Sequence, residues 1–295
     1  MTISICTKLG LVLACFLWAV SFVATKVALG SIPPLTVVSA RLLVSAGCFL
    51  AWFAWRGVRL KVDSVAALWR LFVLSLIGTG LHYGTQTVGL QYTTASNGSI
   101  YAATCPVWIS LIAWTVLGER LSVRKTLGVV VALVGVLTVM GAKTLLSFEL
   151  TGHLLGDFLV LVSIVLWGLF TVYGKRASEE MGALPLLAGV TVLGGLWMTP
   201  VAWWELSSRG VSLGQVGGDA WAAVAFLGIT CSFLATLLYF VALEQGESQK
   251  VGVYLYTIPP MTTAVASMTL HEPVGLNFVV GSLLVLSGVW LTERG

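Results

Sequence analysis

Charge is what this sequence has least of. Of its 295 residues, 9% are charged and 58% are hydrophobic, and the mean hydropathy is +0.97. A soluble domain carries about 25% charged residues, so this chain has too little charge to cover an aqueous surface. Cysteine is sparse as well. Cys6, Cys15, Cys48, Cys105 and Cys231 are odd in number and none has metal-ligand or redox spacing, which leaves small buried hydrophobes as their reading. Acidic residues are missing from the middle of the apolar runs, since Asp157 and Glu244 stand near run ends. That argues against a carboxylate site for protons or sodium inside the membrane. Enzyme motifs are absent too. The string GLFTVYGKR, Gly168 to Arg176, puts five rather than four residues before Gly-Lys and has no Ser or Thr after it, so it is no phosphate loop. Without an ATP site, a metal cluster, a nucleophile elbow or a basic patch, the sequence implies no enzyme, no cofactor and no nucleic-acid partner.

What fills the chain instead is apolar sequence in runs of the length that crosses a hydrocarbon core of roughly 30 Å, about 20 residues. Gly, Pro and charged residues divide it into ten candidate spans, about 8–29, 34–56, 68–90, 96–117, 122–141, 154–175, 183–206, 219–243, 248–270 and 275–292. The expected fold is therefore an all-α polytopic membrane protein. The first run, Leu9 to Leu29, is too long for a signal-peptide core and lacks a small-residue cleavage site, so it reads as a retained helix. Links such as Ser31 to Pro33 and Gln91 to Ala95 are short, which forces neighbouring spans to run antiparallel.

Lys and Arg are unevenly placed. Lys8, Arg56, Arg59, Lys61, Arg70, Arg120, Arg124, Lys125, Lys175, Arg176, Lys250 and Arg294 flank the spans on the N-terminal side, against Lys143, Arg209 and Lys26 opposite. The bias predicts that both termini are cytoplasmic.

Two stretches read as variants of one phrase: LGERLSVRKTLG, Leu117 to Gly128, and LHEPVGLNFVVG, Leu270 to Gly281. At the same offset of 153, Leu90 matches Leu243, Tyr101 matches Tyr254, Pro106 matches Pro259, Glu119 matches Glu272 and Gly135 matches Gly288. Earlier in each half the offset is 149, pairing Leu17-Trp18 with Leu166-Trp167 and Lys26 with Lys175. The chain reads as two five-span copies, residues 1–146 and 147–295. Five is odd, so the copies sit inverted in the bilayer. The second phrase lacks Arg120, Arg124 and Lys125 because its loop faces outward.

The duplicated Pro, Glu, Gly, Gly arrangement over ten spans resembles the EamA-type transporters of the drug/metabolite transporter (DMT) superfamily. The segment GLHYGTQTVGLQYTTASNGSIYAATCPVW and the aromatic content are most similar to the aromatic amino-acid exporters of the YddG type. The resemblance implies a bacterial inner-membrane exporter with a central cavity, in which the fifth and tenth helices serve mainly packing.

Candidate substrate contacts follow from depth. Trp18 and Trp167 are repeat partners near mid-span, where indole loses its usual wet interface, and either line the cavity or pack between helices. Trp52, Trp55, Trp69, Trp203, Trp204, Trp221 and Trp290 fit the interfacial belt. His82, Tyr83 and Tyr101 share a similar depth and offer stacking and hydrogen bonds to a ring or a carboxylate; Tyr239 and Tyr254 lie at comparable depth from the other face. A titrating His82 would suit proton coupling, although a lone buried His is more often neutral and hydrogen-bonded. Arg41, roughly 10 Å along its span, either binds a substrate carboxylate or snorkels outward. Glu119 and Glu272 read as loop anchors and helix caps. Gly128, Gly135, Gly281 and Gly288 suit close helix approach, and Pro106 and Pro259 suit kinks that act as hinges.

The expectation is an exporter of small metabolites, amino acids and chiefly aromatic ones, with the lipid bilayer and the substrate as its partners and no obligate protein partner. Export of other polar metabolites, purines or toxic cations is the alternative within the transporter class. A channel and a membrane-embedded enzyme are the rivals outside it.

Overall fold

The computed structural model describes residues 4–57, 64–92, 101–102, 104–120, 122–146, 150–261, 264 and 276–294. All regular structure among them is helical. The helices are α1 (Ile5–Leu29), α2 (Pro34–Arg56), α3 (Val65–Tyr92), α4 (Cys105–Leu117), α5 (Val123–Leu146), α6 (Leu150–Met181), α7 (Ala183–Arg209), α8 (Gly218–Gln245), α9 (Ser248–Gly252) and α10 (Leu276–Glu293). Helices α1, α2, α3, α6, α7 and α8 carry stretches long and apolar enough to cross a membrane, and α4 is a shorter apolar helix. The chain between 262 and 275, which holds Glu272 and most of the end of the expected ninth span, lies outside the described residues apart from 264.

Local chemistry sets the helix ends. The Ser4 and Ser64 hydroxyls accept from the backbone N–H groups of Thr7 and Ala67, both at 3.1 Å, and so start α1 and α3. Pro34 opens α2, where its missing N–H costs nothing. Gly57, Gly118 and Gly210 end α2, α4 and α7 in the left-handed region, with φ near +63°, +66° and +62°. Some spans differ from expectation: the fourth is helical over Cys105–Leu117, and the ninth opens as the short helix Ser248–Gly252 followed by the 3₁₀ segment Val253–Thr257. The sixth was expected to stop at 175, but α6 runs through Lys175 and Arg176 to Met181. Lys175 is held by an ion pair, so the helix keeps its charge without needing a loop.

Two helices depart from α geometry in a way no residue pattern announced. In α3 the segment Leu76–Leu81 widens to π-type hydrogen bonding, and in α8 the segment Leu227–Ala235 does the same. Shifted by 153 residues, the first falls inside the second.

Packing follows the small residues. A Cβ on Gly128 would sit 2.7 Å from the Gly288 carbonyl oxygen, and one on Gly135 would sit 2.8 Å from that of Gly281. The glycine pairs therefore let α5 and α10 meet backbone to backbone, and the pairing of 128 with 288 and 135 with 281 makes these two helices antiparallel. Without apolar driving force in lipid, such contact is how helices associate. Elsewhere the halves interlock: α1 packs on α8, α2 on α7 and α3 on α6. Apolar side chains also cover the outside, with Trp55, Trp203 and Trp204 at 75%, 74% and 66% exposure. A surface so apolar is one that faces hydrocarbon.

Candidate functional site

Trp18 of α1 and Trp167 of α6, which the sequence pairs at the offset of 149, meet with ring centroids 5.3 Å apart and nearly perpendicular at 84°. Tyr239 lies beneath both, at 5.3 Å from Trp18 and 5.9 Å from Trp167. His82 stacks on the other side of Trp167 at 5.0 Å and continues to Tyr83 at 4.8 Å. Four of these rings, Trp18, His82, Tyr83 and Trp167, line a cavity with Arg41 and Gln86, and Ser21, Phe22, Ala102, Cys105, Ile164, Leu255 and Ile258 complete the wall. Its free volume is about 80 Å³, below the about 300–1,000 Å³ of small-molecule sites, so the walls must part for a substrate to enter.

The π segments explain how the polar groups are placed. Trp18 Nε1 donates to the Cys231 carbonyl at 3.3 Å, and Thr236 Oγ1 donates to the same oxygen at 3.0 Å. A carbonyl within a π segment is offset from its usual partner, and here side chains take it up. One residue on, Ser232 Oγ accepts from Arg41 Nε at 2.9 Å. The Arg41 guanidinium lies 4.0 Å over the Tyr83 ring and the residue is 3% exposed. His82 directly follows the π segment of α3, and its Nδ1 lies 2.8 Å from the Ser163 carbonyl. A carbonyl only accepts, so Nδ1 carries the hydrogen, and in the neutral form of the ring Nε2 is an acceptor.

Five of the sequence candidates thus share one cavity: Trp18, Arg41, His82, Tyr83 and Trp167. Tyr101, Tyr239 and Tyr254 are outside its lining. Tyr239 is fully buried beneath the two indoles, Tyr254 is 6% exposed with its carbonyl accepting from Cys15 and Thr257, and Tyr101 pairs with Asp157. Pro106 sits in the first turn of α4, and Pro259 follows the 3₁₀ segment Val253–Thr257. Each therefore stands where a new α-helical stretch begins rather than within an unbroken one. Sequence reasoning missed Ser21, Gln86, Ser163 and Ser232. Gln86 had a signal, since it is the repeat partner of Tyr239 at the offset of 153.

Glu119 anchors a second cluster, at the end of the bundle where Thr7 of α1 donates to Gln245 of α8 at 2.8 Å. It was expected to cap the helix that follows it. Instead its carboxylate accepts from Lys175 Nζ at 2.8 Å and from the backbone N–H groups of Ser248 and Gln249 at 2.9 and 3.4 Å. The helix it caps is α9, in the other half of the chain. Lys175 also donates to the Gly246 carbonyl at 2.8 Å, and Lys125 pairs with Glu247, which Lys250 approaches at 3.9 Å. Among the described residues, no group of three or more His, Cys, Asp or Glu is arranged to hold a metal ion.

Known proteins resemble this chain along nearly all of its length. An uncharacterized transporter of Archaeoglobus fulgidus is 30% identical over 97% of this chain and 96% of its own. The uncharacterized transporters YvbV and YoaV of Bacillus subtilis are 27% and 25% identical over 97% and 96% of this chain and 91% and 95% of their own. A protein crystal structure at 19% identity shares the fold, with a TM-score of 0.80 over 97% of both chains. The profile of the EamA-like transporter family matches residues 7–141 and 154–294. The chain is a multi-pass membrane protein and belongs to the EamA-like transporter family.

Proposed function

We propose that this transporter exports small amino-acid-type metabolites, aromatic ones foremost, across the bacterial inner membrane by alternating access. The observation that carries this reading is a cavity built from both halves, with aromatic walls from Trp18, Trp167, His82 and Tyr83. Indole faces favour a flat apolar body, because stacked rings gain about 0.5–1.5 kcal/mol beyond burial.

Two inverted five-helix repeats, residues 1–146 and 147–295, supply the moving parts. Three observations support them: the family profile matches in two stretches, the π segments coincide at the repeat offset, and the corresponding helices α5 and α10 run antiparallel. Cytoplasmic termini, as the Lys and Arg bias predicts, put the Glu119–Lys175 cluster on the cytoplasmic side. The breaks before Pro106 and Pro259 are the hinges.

Uptake by purified protein in liposomes across an amino-acid panel tests this. Tryptophan, tyrosine and phenylalanine should enter faster than alanine, and Trp167→Ala should erase the difference. Equal transport of alanine and tryptophan, unchanged in Trp167→Ala, would overturn the reading.

A further inference from the structure

Arg41 brings a full positive charge into α2, seven residues from Pro34, and the structure leaves that charge without a carboxylate among the described residues. The guanidinium has five N–H donors. One goes to Ser232, and the Tyr83 face takes part of the charge. The acidic side chain on the neighbouring helix, Glu205 of α7, is engaged elsewhere. It accepts from Thr36 N at 2.8 Å and Thr36 Oγ1 at 3.0 Å, and Arg209 lies 3.6 Å away. Among the described residues the cavity wall holds no Asp or Glu; its other titratable groups there are His82, Tyr83 and Cys105. A buried arginine at membrane depth costs a few kcal/mol, offset only by water or by an opposite charge.

We infer that Arg41 selects the substrate's charge: the cavity takes a carboxylate head on its free guanidinium donors, with the apolar body against Trp18 and Trp167, and it rejects amines, amides and quaternary ammonium ions. The planar fork of arginine matches a carboxylate with two parallel bonds, which an amine cannot form. The α-ammonium of an amino acid is met by neutral acceptors, Ser21 and Gln86, so it is accommodated without being required. Water-sized molecules reach about 80 Å³ of the cavity. This is enough for several waters around the cation, and a substrate displaces them as the walls part. The inference deepens the proposed transport of amino-acid-type metabolites and rests on it.

Four indole solutes separate the possibilities: tryptophan, indole-3-propionate (a carboxylate without the amine), tryptophanamide and tryptamine. In proteoliposomes the two carboxylates should be transported, and the amide and amine should be at least about tenfold slower, the factor one lost charge-assisted bond supplies. Arg41→Gln should lose the preference, and Arg41→Lys should keep part of it. Binding is read separately as thermal stabilisation of the detergent-purified protein, where the carboxylates should stabilise and the amine should not. This readout needs no transport, and the wild-type series decides even if Arg41→Gln fails to fold. Tryptamine transported or bound as well as tryptophan would overturn the charge selection and leave the aromatic transport reading standing. Carboxylate-selective stabilisation without any flux would do the reverse. Binding of none of the four would overturn both.

Discussion

Replacing Glu119 by alanine removes one carboxylate that ties together three separate parts of the chain. The side chain is 9% exposed and its partner Lys175 is 10% exposed, so water offers little compensation. After the substitution, the Lys175 ammonium retains the Gly246 carbonyl among the acceptors described above, and the N–H groups of Ser248 and Gln249 lose their acceptor. Breaking a buried ion pair from one side costs about 3–5 kcal/mol. Residual exposure on both partners favours the lower end, so a loss of about 3 kcal/mol is expected. Glu119→Gln keeps an oxygen for the N–H groups and removes only the charge, and should cost about 1–2 kcal/mol. Lys175→Met combined with Glu119→Gln should show a coupling energy of about 1–3 kcal/mol in a double-mutant cycle. Unfolding of the detergent-purified protein, followed by tryptophan fluorescence, gives all four corners of the cycle. The reasoning fails if Glu119→Ala unfolds like the wild type, or if the two single effects simply add.

Other expectations concern packing and pH. At Gly288 a Cβ would meet the Ala132 nitrogen and the Gly128 oxygen at 2.5 Å, so Gly288→Val should force α5 and α10 apart and lower the melting temperature, at a cost of about 1–3 kcal/mol or more. Gly47 has open space around it, and Gly47→Ala should instead gain about 0.5–1 kcal/mol of helix stability; a melt in which both variants behave alike would contradict the glycine contact. Burial pushes the Glu247 carboxyl up, but the hydrogen bond and charge of Lys125, with Lys250 and Lys175, outweigh it and hold the group below its ordinary value of 4.5. A depressed folded value contributes stability above the unfolded one that is lost as pH falls through the folded one. The wild-type melting temperature should therefore drop more steeply than that of Glu247→Gln on acidification below about pH 4.5, and parallel curves would count against that ion pair.

The features legible in the sequence were those written twice or repeated with a period. The glycines at 128, 135, 281 and 288 announced a close helix contact because a missing side chain has few other uses in lipid. Trp18 and Trp167 stood out because both copies put an indole where water is scarce. Less legible was anything that depends on which helix lies opposite. Nothing in LSLIGTGLHYG states that Leu76–Leu81 widens into a π segment, since that geometry is settled by neighbours such as Phe170 and Trp197 lying against Gly78 and Gly80. Glu119 was readable as a cap but not as the cap of α9, because its target is 129 residues further along the chain. Ser232 gave no sign of holding Arg41 for the same reason. Tyr101, Tyr239 and Tyr254 were placed by depth alone, and depth does not fix which way a helix turns its faces.

The most direct test of the carrier reading is counterflow. Proteoliposomes loaded with unlabelled tryptophan are diluted into a trace of labelled tryptophan. Transient accumulation of label above equilibrium, saturating with internal tryptophan and lost in Trp167→Ala, is the expected result. Label that enters without overshoot and without saturation, or conductance at ion-channel rates, would contradict a substrate-carrying cavity.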